Sequence, residues 1–509
     1  MTRRLALLTP LLALLASCTK ELVCPAGQTD CGGRCVSLRT DAQHCGACGN
    51  TVGPLEVCAA GQPVCGPAIA TCDGACTDLA RDHENCGGCG TACGASDFCT
   101  TAGGGTACLA ACPTGFTACG GACVDLAADR FHCGACGKVC APGEACREGA
   151  CRADLAVACY ATNEVVPVTA ALDPAGAART VPAGPGSLAV LGGAVYSANG
   201  YPTASVSVLP LDPALPSRDV TLSGSDLQQI VPHANVLLVA NAELGTLVVL
   251  GPTGDVLDEI VLPGTAPNPH ATAVLGDVAY VALYGSGPST GQAVAKVDLS
   301  ALGACVAGPS ASCGAATGAI DLLQVQGSAD APGLPFPSAA LAVGGSVYVA
   351  LANLAEDTIS CGTGCSFQAY VKPAGAGKLA VVRPGWPAGT PDEVSIVPLP
   401  GCGNPGALAV SGATLWVSCG SFSYPDLAPP ALVPVNLAAA TPAAGVPLAL
   451  PGIVPGKVAF CGGVGYVTDQ ASGAVVRFDP AARTVEGPVV VCPTSAFGWA
   501  WAADVACSG

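Results

Sequence analysis

Cysteine thiols are the groups of this chain whose number and spacing could do chemistry, and disulfide formation competes with metal ligation for them. The 509 residues contain 33 cysteines, and 22 of these lie between residues 24 and 151. They form three copies of one spacing. The third reads Cys112-x6-Cys119-x3-Cys123-x9-Cys133-x2-Cys136-x3-Cys140-x5-Cys146-x4-Cys151. The second runs through Cys65, Cys72, Cys76, Cys86, Cys89, Cys93, Cys99 and Cys108. The first keeps Cys24, Cys31, Cys35, Cys45, Cys48 and Cys58, with Val52 at the sixth position. Zinc has its advocates: Cys-x2-Cys occurs in every copy, and His44 and His132 each directly precede a cysteine,.

Cys18 stands apart from the repeats. It closes the run Leu15-Ala16-Ser17-Cys18 after an apolar stretch, residues 5–17, headed by Arg3-Arg4. Such a stretch has the length of a signal-peptide core and is too short to span a bilayer. The arrangement resembles a bacterial lipoprotein signal. That resemblance implies a mature chain beginning at a lipidated Cys18, with the lipid as its membrane attachment. Thr19 stands where many inner-membrane lipoproteins have Asp, which implies the outer membrane or cell surface. The alternative is an ordinary cleaved secretory signal that leaves Cys18 as a free thiol. Without Cys18, 32 cysteines remain, an even number that could form 16 disulfides. In an oxidising compartment, at eight cysteines per copy, disulfides prevail over zinc, and no metal or other cofactor is expected.

Other positions repeat with the cysteines. Leu38, Leu79 and Leu126 lie three residues after the third cysteine of their copies, and Asp41, Asp82 and Asp129 six after it. Gly46, Gly87 and Gly134 follow the fourth. One repeated leucine and little else apolar per ~40-residue unit cannot build a sufficient core, so cross-links must stabilise it. A single carboxylate per copy suits a turn or cap better than calcium. If Cys65 belongs to the second copy, the first lacks positions six and eight together. A disulfide is lost at both ends at once, which predicts Cys93–Cys108 and Cys140–Cys151. The form Cys-Gly-Gly-x-Cys-Val-Asp-Leu resembles the cysteine-rich repeats of myxobacterial surface lipoproteins, over about a quarter of the chain.

From residue 152 short Val/Leu/Ala/Tyr runs alternate with Gly, Pro, Asn and Asp, which reads as many short strands. A proline and an aromatic residue recur eleven apart: Pro185/Tyr196, Pro269/Tyr280, Pro337/Tyr348, Pro405/Trp416 and Pro455/Tyr466. A degenerate copy surrounds Leu237-Leu238-Val239, and Tyr160-Ala-Thr-Asn163 echoes Tyr196-Ser-Ala-Asn199. Three or four strands per unit, about seven times over, predict a β-propeller of about seven blades, with a β-sandwich array as the alternative. Tyr466-Val-Thr-Asp469 resembles the Tyr-Val-Thr-Asn propellers of bacterial surface proteins. Long insertions are expected around residues 300–335 and 355–400. The expected disulfides are Cys305–Cys313, Cys361–Cys365, Cys402–Cys419 and Cys461–Cys492, with Cys159–Cys507 locking the ring. The domain plan is therefore a signal peptide (1–17), a lipidated tether (18–23), three cysteine-rich repeats (24–64, 65–111 and 112–151) and a propeller (152–509).

Acid–base chemistry has little to work with. Residues after the repeat prolines should approach the central funnel: Gly186, His270, Ser338 and Gly406, with Lys457 one position further along. Of these, His270, Ser338 and Lys457 are the ligand candidates. No His-Glu-x-x-His or phosphate loop occurs,. A net charge of −17 and a pI near 4.5 argue against nucleic acid,. The expectation is a non-enzymatic, lipid-anchored envelope protein whose disulfide-stapled stalk presents a propeller to a protein or glycan. The alternatives are a propeller lyase, hydrolase or dehydrogenase with a funnel active site, and a purely structural envelope protein.

Overall fold

The computed structural model describes residues 29–507 apart from 32–34, 37, 39–43, 54, 60, 66–68, 102–105, 130, 141–143, 212–214, 252, 309–311, 327–332, 363–364, 386–390, 440, 462, 496–497 and 499. Cys18 lies outside the described residues, as do the side chains of Cys361 and Cys365. Among the described residues no helix is long and apolar enough to cross a membrane.

The cysteine-rich copies share one connectivity. In the third, Cys112–Cys123, Cys119–Cys136, Cys133–Cys146 and Cys140–Cys151 are joined. In the second, Cys65–Cys76, Cys72–Cys89, Cys86–Cys99 and Cys93–Cys108 follow the same order. Cys65 thus belongs to the second copy. The first copy contains Cys31–Cys48 and Cys45–Cys58, and its two missing positions are those that form Cys93–Cys108 and Cys140–Cys151 elsewhere. The repeated aspartates close turns: Asp82 Oδ1 accepts the Glu84 N–H at 2.9 Å and Asp129 Oδ1 the Phe131 N–H at 2.8 Å,. The repeated glycine is required where two backbones meet. A Cβ on Gly134, at φ +74°, would lie 2.3 Å from the Gly149 carbonyl oxygen,. The second and third copies share a sheet through parallel pairing of Ala122 with Cys99, and Arg81 ties them by donating to Asp78 and Asp129.

The third copy runs into the next domain without a linker. Strand Ala150–Cys159 pairs with Glu144–Arg147 of the repeat and, from Asp154 onward, with Glu164–Thr169. The boundary expected between residues 151 and 152 therefore falls inside one strand.

Seven antiparallel sheets of four principal strands follow, and they form a β-propeller. Their innermost strands are Ala502–Cys507 (blade 1), Pro185–Leu191 (2), Leu227–His233 (3), Pro269–Leu275 (4), Pro337–Val343 (5), Pro405–Ser411 (6) and Pro455–Cys461 (7). Each packs against the next around the ring, and Ala502–Cys507 completes blade 1 by pairing with Ala150–Cys159. Such closure removes the edges that a sandwich array would expose. The repeated aromatic of each second strand has a packing role. Tyr196 clusters with Ile230 and Leu237 of blade 3, Tyr280 with Val347 and Val349 of blade 5, and Trp416 with Val467 and Phe478 of blade 7. Tyr466 reaches blade 1 and donates to the Ala170 carbonyl at 2.8 Å.

The degenerate copy around Leu238 is a full blade, in which Leu227 and Leu238 replace the proline and the aromatic. Two sequence expectations need correction. Tyr160 is not the anchor of blade 1: the register aligns Cys159 with Ala502 as Asn199 aligns with Pro185, which puts Ala156 in the anchor's place. Cys159 is joined to Cys492 and Cys461 to Cys507, not Cys159 to Cys507 and Cys461 to Cys492. The antiparallel register explains this, because Cys507 lies opposite Leu155. Four residues along a strand separate it from Cys159 by about 13 Å, beyond the ~7 Å reach of a disulfide. Cys305–Cys313 and Cys402–Cys419 are joined. Blade 4 carries helices Leu302–Ala307 and Leu322–Gln326, and blade 5 the hairpin Leu354–Gly362/Cys365–Pro373.

Candidate ligand-binding face

Aromatic residues divide the propeller's two faces. Among the described residues, nine aromatic residues lie where the innermost strands begin: Tyr160, Tyr201, Tyr284, Phe336, Phe367, Tyr370, Phe422, Tyr424 and Trp501. Phe336 is buried in a cluster that Tyr284 and Tyr370 flank, and Tyr160 and Trp501 pack on the core between blades 1 and 2. Tyr201, Phe367 and Phe422 are 73%, 53% and 69% exposed. A line of rings links the funnel to the blade 5 hairpin. His270 stacks on Tyr284 at 4.2 Å, Tyr284 meets Phe336 at 4.8 Å, and Phe336 meets Tyr370 at 5.5 Å. The hairpin is also fastened to blade 6, because the Tyr424 hydroxyl donates to the Asp357 carboxylate. Across the face, Tyr160 packs on Trp501 at 4.7 Å, over Gly184. Beside Tyr201 a cleft of about 550 Å³ opens between blades 2, 3 and 4, lined by Ser225, Asp226, Glu243 and Asn268.

At the funnel, every innermost strand has a bulge after its first residue,. The next position holds Asp504, Ser187, Gln229, Ala271, Ala339, Ala407 and Lys457 in blades 1 to 7. The first three cap the following blade: Asp504 Oδ2 accepts the Leu188 N–H at 2.8 Å, Ser187 Oγ the Ile230 N–H at 3.3 Å and Gln229 Oε1 the Thr272 N–H at 2.6 Å. Asp504 Oδ1 also takes its neighbour's Val505 N–H at 2.8 Å. Burial raises the Asp504 carboxyl, and the Lys457 ammonium is the largest influence against that.

The three funnel candidates therefore have different fates. Ser338 is committed to the fold, since its hydroxyl donates to the Pro405 carbonyl and ties blade 5 to blade 6. His270 is pushed down to about 3 by burial, with Lys457 adding to the effect, so it is neutral at pH 7. Lys457 is half-buried, and its ammonium is felt by both Asp504 and His270. Asp504, Ser187 and Gln229 escaped the sequence reading. The available signal was a lone charge in the apolar strand Ala502-Ala-Asp-Val-Ala-Cys507.

The His270 shift has a measurable consequence. A folded-state pKa below the unfolded 6.5 makes a contribution that is present above pH 6.5 and lost as pH falls towards 3,. At most, His270 contributes about 1.4 kcal/mol per pH unit within that window. Denaturant titrations from pH 7 to pH 4 are expected to show a shallower loss for His270→Gln than for the parent. Identical slopes would show that the parent histidine is not held neutral.

Comparison with known proteins places the cysteine repeats and the propeller separately. Residues 100–154 match the stigma-specific STIG1-like protein family, which covers the third repeat and the end of the second. A comparison with curated proteins finds no match. Among solved structures, a protein from Lactobacillus plantarum is similar at 12% identity and a TM-score of 0.48, over 67% of this chain and 97% of that one. A proposed 6-phosphogluconolactonase from Bacteroides uniformis is similar at 14% identity and 0.45, over 70% and 99%. AztD from Citrobacter koseri is similar at 12% and 0.40, over 69% and 97%. The propeller assignment rests on this chain's own strand order and closure.

Proposed function

We propose that the protein is a non-enzymatic, lipid-anchored surface protein of a bacterial envelope, held by lipid on Cys18, whose propeller binds a protein or glycan partner through its aromatic face. The observation that carries this reading is the gathering of nine aromatic residues at one face, with Tyr201, Phe367 and Phe422 largely exposed there. Aromatic rings lose favourable burial when exposed, and such rings concentrate where partners dock. The funnel supports binding over catalysis: His270 is neutral and stacked, Asp504 is occupied by backbone donors, and Ser338 holds two blades together. The disulfide-rich repeats, continuous with blade 1, suit a protease-resistant stalk outside the cytoplasm.

The test is saturable adsorption of the purified chain to isolated cell envelopes. Tyr201→Ser, Phe367→Ser and Phe422→Ser combined are expected to weaken it at least about tenfold, or 1.4 kcal/mol, without lowering the melting temperature. Unchanged adsorption by the triple variant would remove the aromatic face from the reading.

A further inference from the structure

The capping ladder around the funnel is half complete, and its open half is built from donors. In blades 2, 3 and 4 the N–H of the second residue past the bulge points into the channel and is taken by a side chain of the preceding blade, at Leu188, Ile230 and Thr272. The same register places the N–H groups of Ala340, Leu408 and Val458 in blades 5, 6 and 7. The preceding blades there offer Ala271, Ala339 and Ala407, and a methyl group cannot accept a hydrogen bond. Among the described residues, no side chain of the preceding blade caps these three adjacent backbone donors, which face the channel. Lys457 belongs to the same layer on blade 7, and its ammonium acts on both Asp504 and His270. Space is present too, because a Cβ built on Gly406 would meet nothing within 4 Å.

We propose that this arc, formed by the N–H groups of Ala340, Leu408 and Val458 and the Lys457 ammonium, is a binding site for a small carboxylate. A carboxylate is acceptor-only, has two oxygens to share among several N–H groups, and gains from charge-assisted bonds in a partly desolvated channel. The bulge brings these donors to the channel edge in every blade. Three successive alanines leave them open in one half only.

Acetate is the probe, titrated calorimetrically into the full chain at constant ionic strength balanced with chloride. Binding in the millimolar range is expected. Lys457→Met should weaken it at least about tenfold, while Lys457→Arg retains it. Ala407→Gln, which copies Gln229 and caps the Val458 N–H, should abolish binding without lowering the melting temperature, whereas acetate bound away from the N–H arc would leave this variant binding normally. Absence of acetate binding up to about 50 mM, or binding indifferent to both Lys457→Met and Ala407→Gln, overturns the site. Envelope adsorption is scored on the same variants. Adsorption that persists while acetate binding fails removes the carboxylate site and keeps the aromatic face.

Discussion

Replacing Cys159 and Cys492 with serine is expected to lower the stability of the propeller by about 5 kcal/mol, the loop-closure contribution of a very long loop. The bond spans 333 residues and joins the end of the second strand of blade 1 to the segment leaving blade 7. Cys461–Cys507 fastens the same seam at the other end of the channel, where the innermost strands of blades 7 and 1 finish. The ring depends on this seam, since Ala502–Cys507 pairs with Ala150–Cys159 from the opposite end of the chain. A loss of about 5–10 °C in melting temperature should follow in a domain of this size. Cys305→Ser with Cys313→Ser serves as the comparison. It opens a separation of only 8 residues within one blade and should cost about 2–3 kcal/mol. Equal losses in the two variants would show that the seam is not what holds the ring.

Cys133→Ser with Cys146→Ser should unfold the third repeat outright. Its interior is made largely of sulfur: Cys133, Cys140 and Cys146 form one buried cluster, and Ala122, Val124 and Cys119 another. Little apolar area remains to offset the chain entropy once a cross-link is lost. Limited trypsin digestion followed by mass analysis is expected to cut the variant between residues 125 and 152 while the propeller survives. Protection should resume by Leu155, because Glu164–Thr169 and Ala502–Cys507 grip the remainder of that strand from both sides. A variant as resistant as the parent would mean that the repeat has a core independent of its disulfides.

The sequence made the blades legible where local chemistry repeats and left them obscure where it does not. The offset from Pro185 to Tyr196 recurs because proline opens each innermost strand and the ring fills the gap to the next blade. Blade 3 was dim because Leu227 and Leu238 take both roles with ordinary residues. Blade 1 was misaligned because its anchor is Ala156 and its innermost strand comes from the far end of the chain. Within the repeats, paired loss of two cysteines pointed to Cys93–Cys108 and Cys140–Cys151, a local signal. The seam disulfides followed no local signal: they depend on the register between Leu155 and Cys507. The funnel ladder was hidden for the same reason. Asp504, Ser187 and Gln229 become equivalent only once the bulges are aligned across seven separate strands.

Lipid anchoring and full oxidation together are the central claim, and one measurement reaches both: intact mass with non-reducing peptide mapping of the protein from native membranes, with zinc determined on the same sample. The expected result is a chain beginning at a lipid-modified Cys18, with 32 oxidised cysteines, those of the third repeat paired as Cys112–Cys123, Cys119–Cys136, Cys133–Cys146 and Cys140–Cys151, and no zinc. An unmodified amino terminus, with free thiols and bound zinc in the repeats, would contradict the anchor, the compartment and the stalk together.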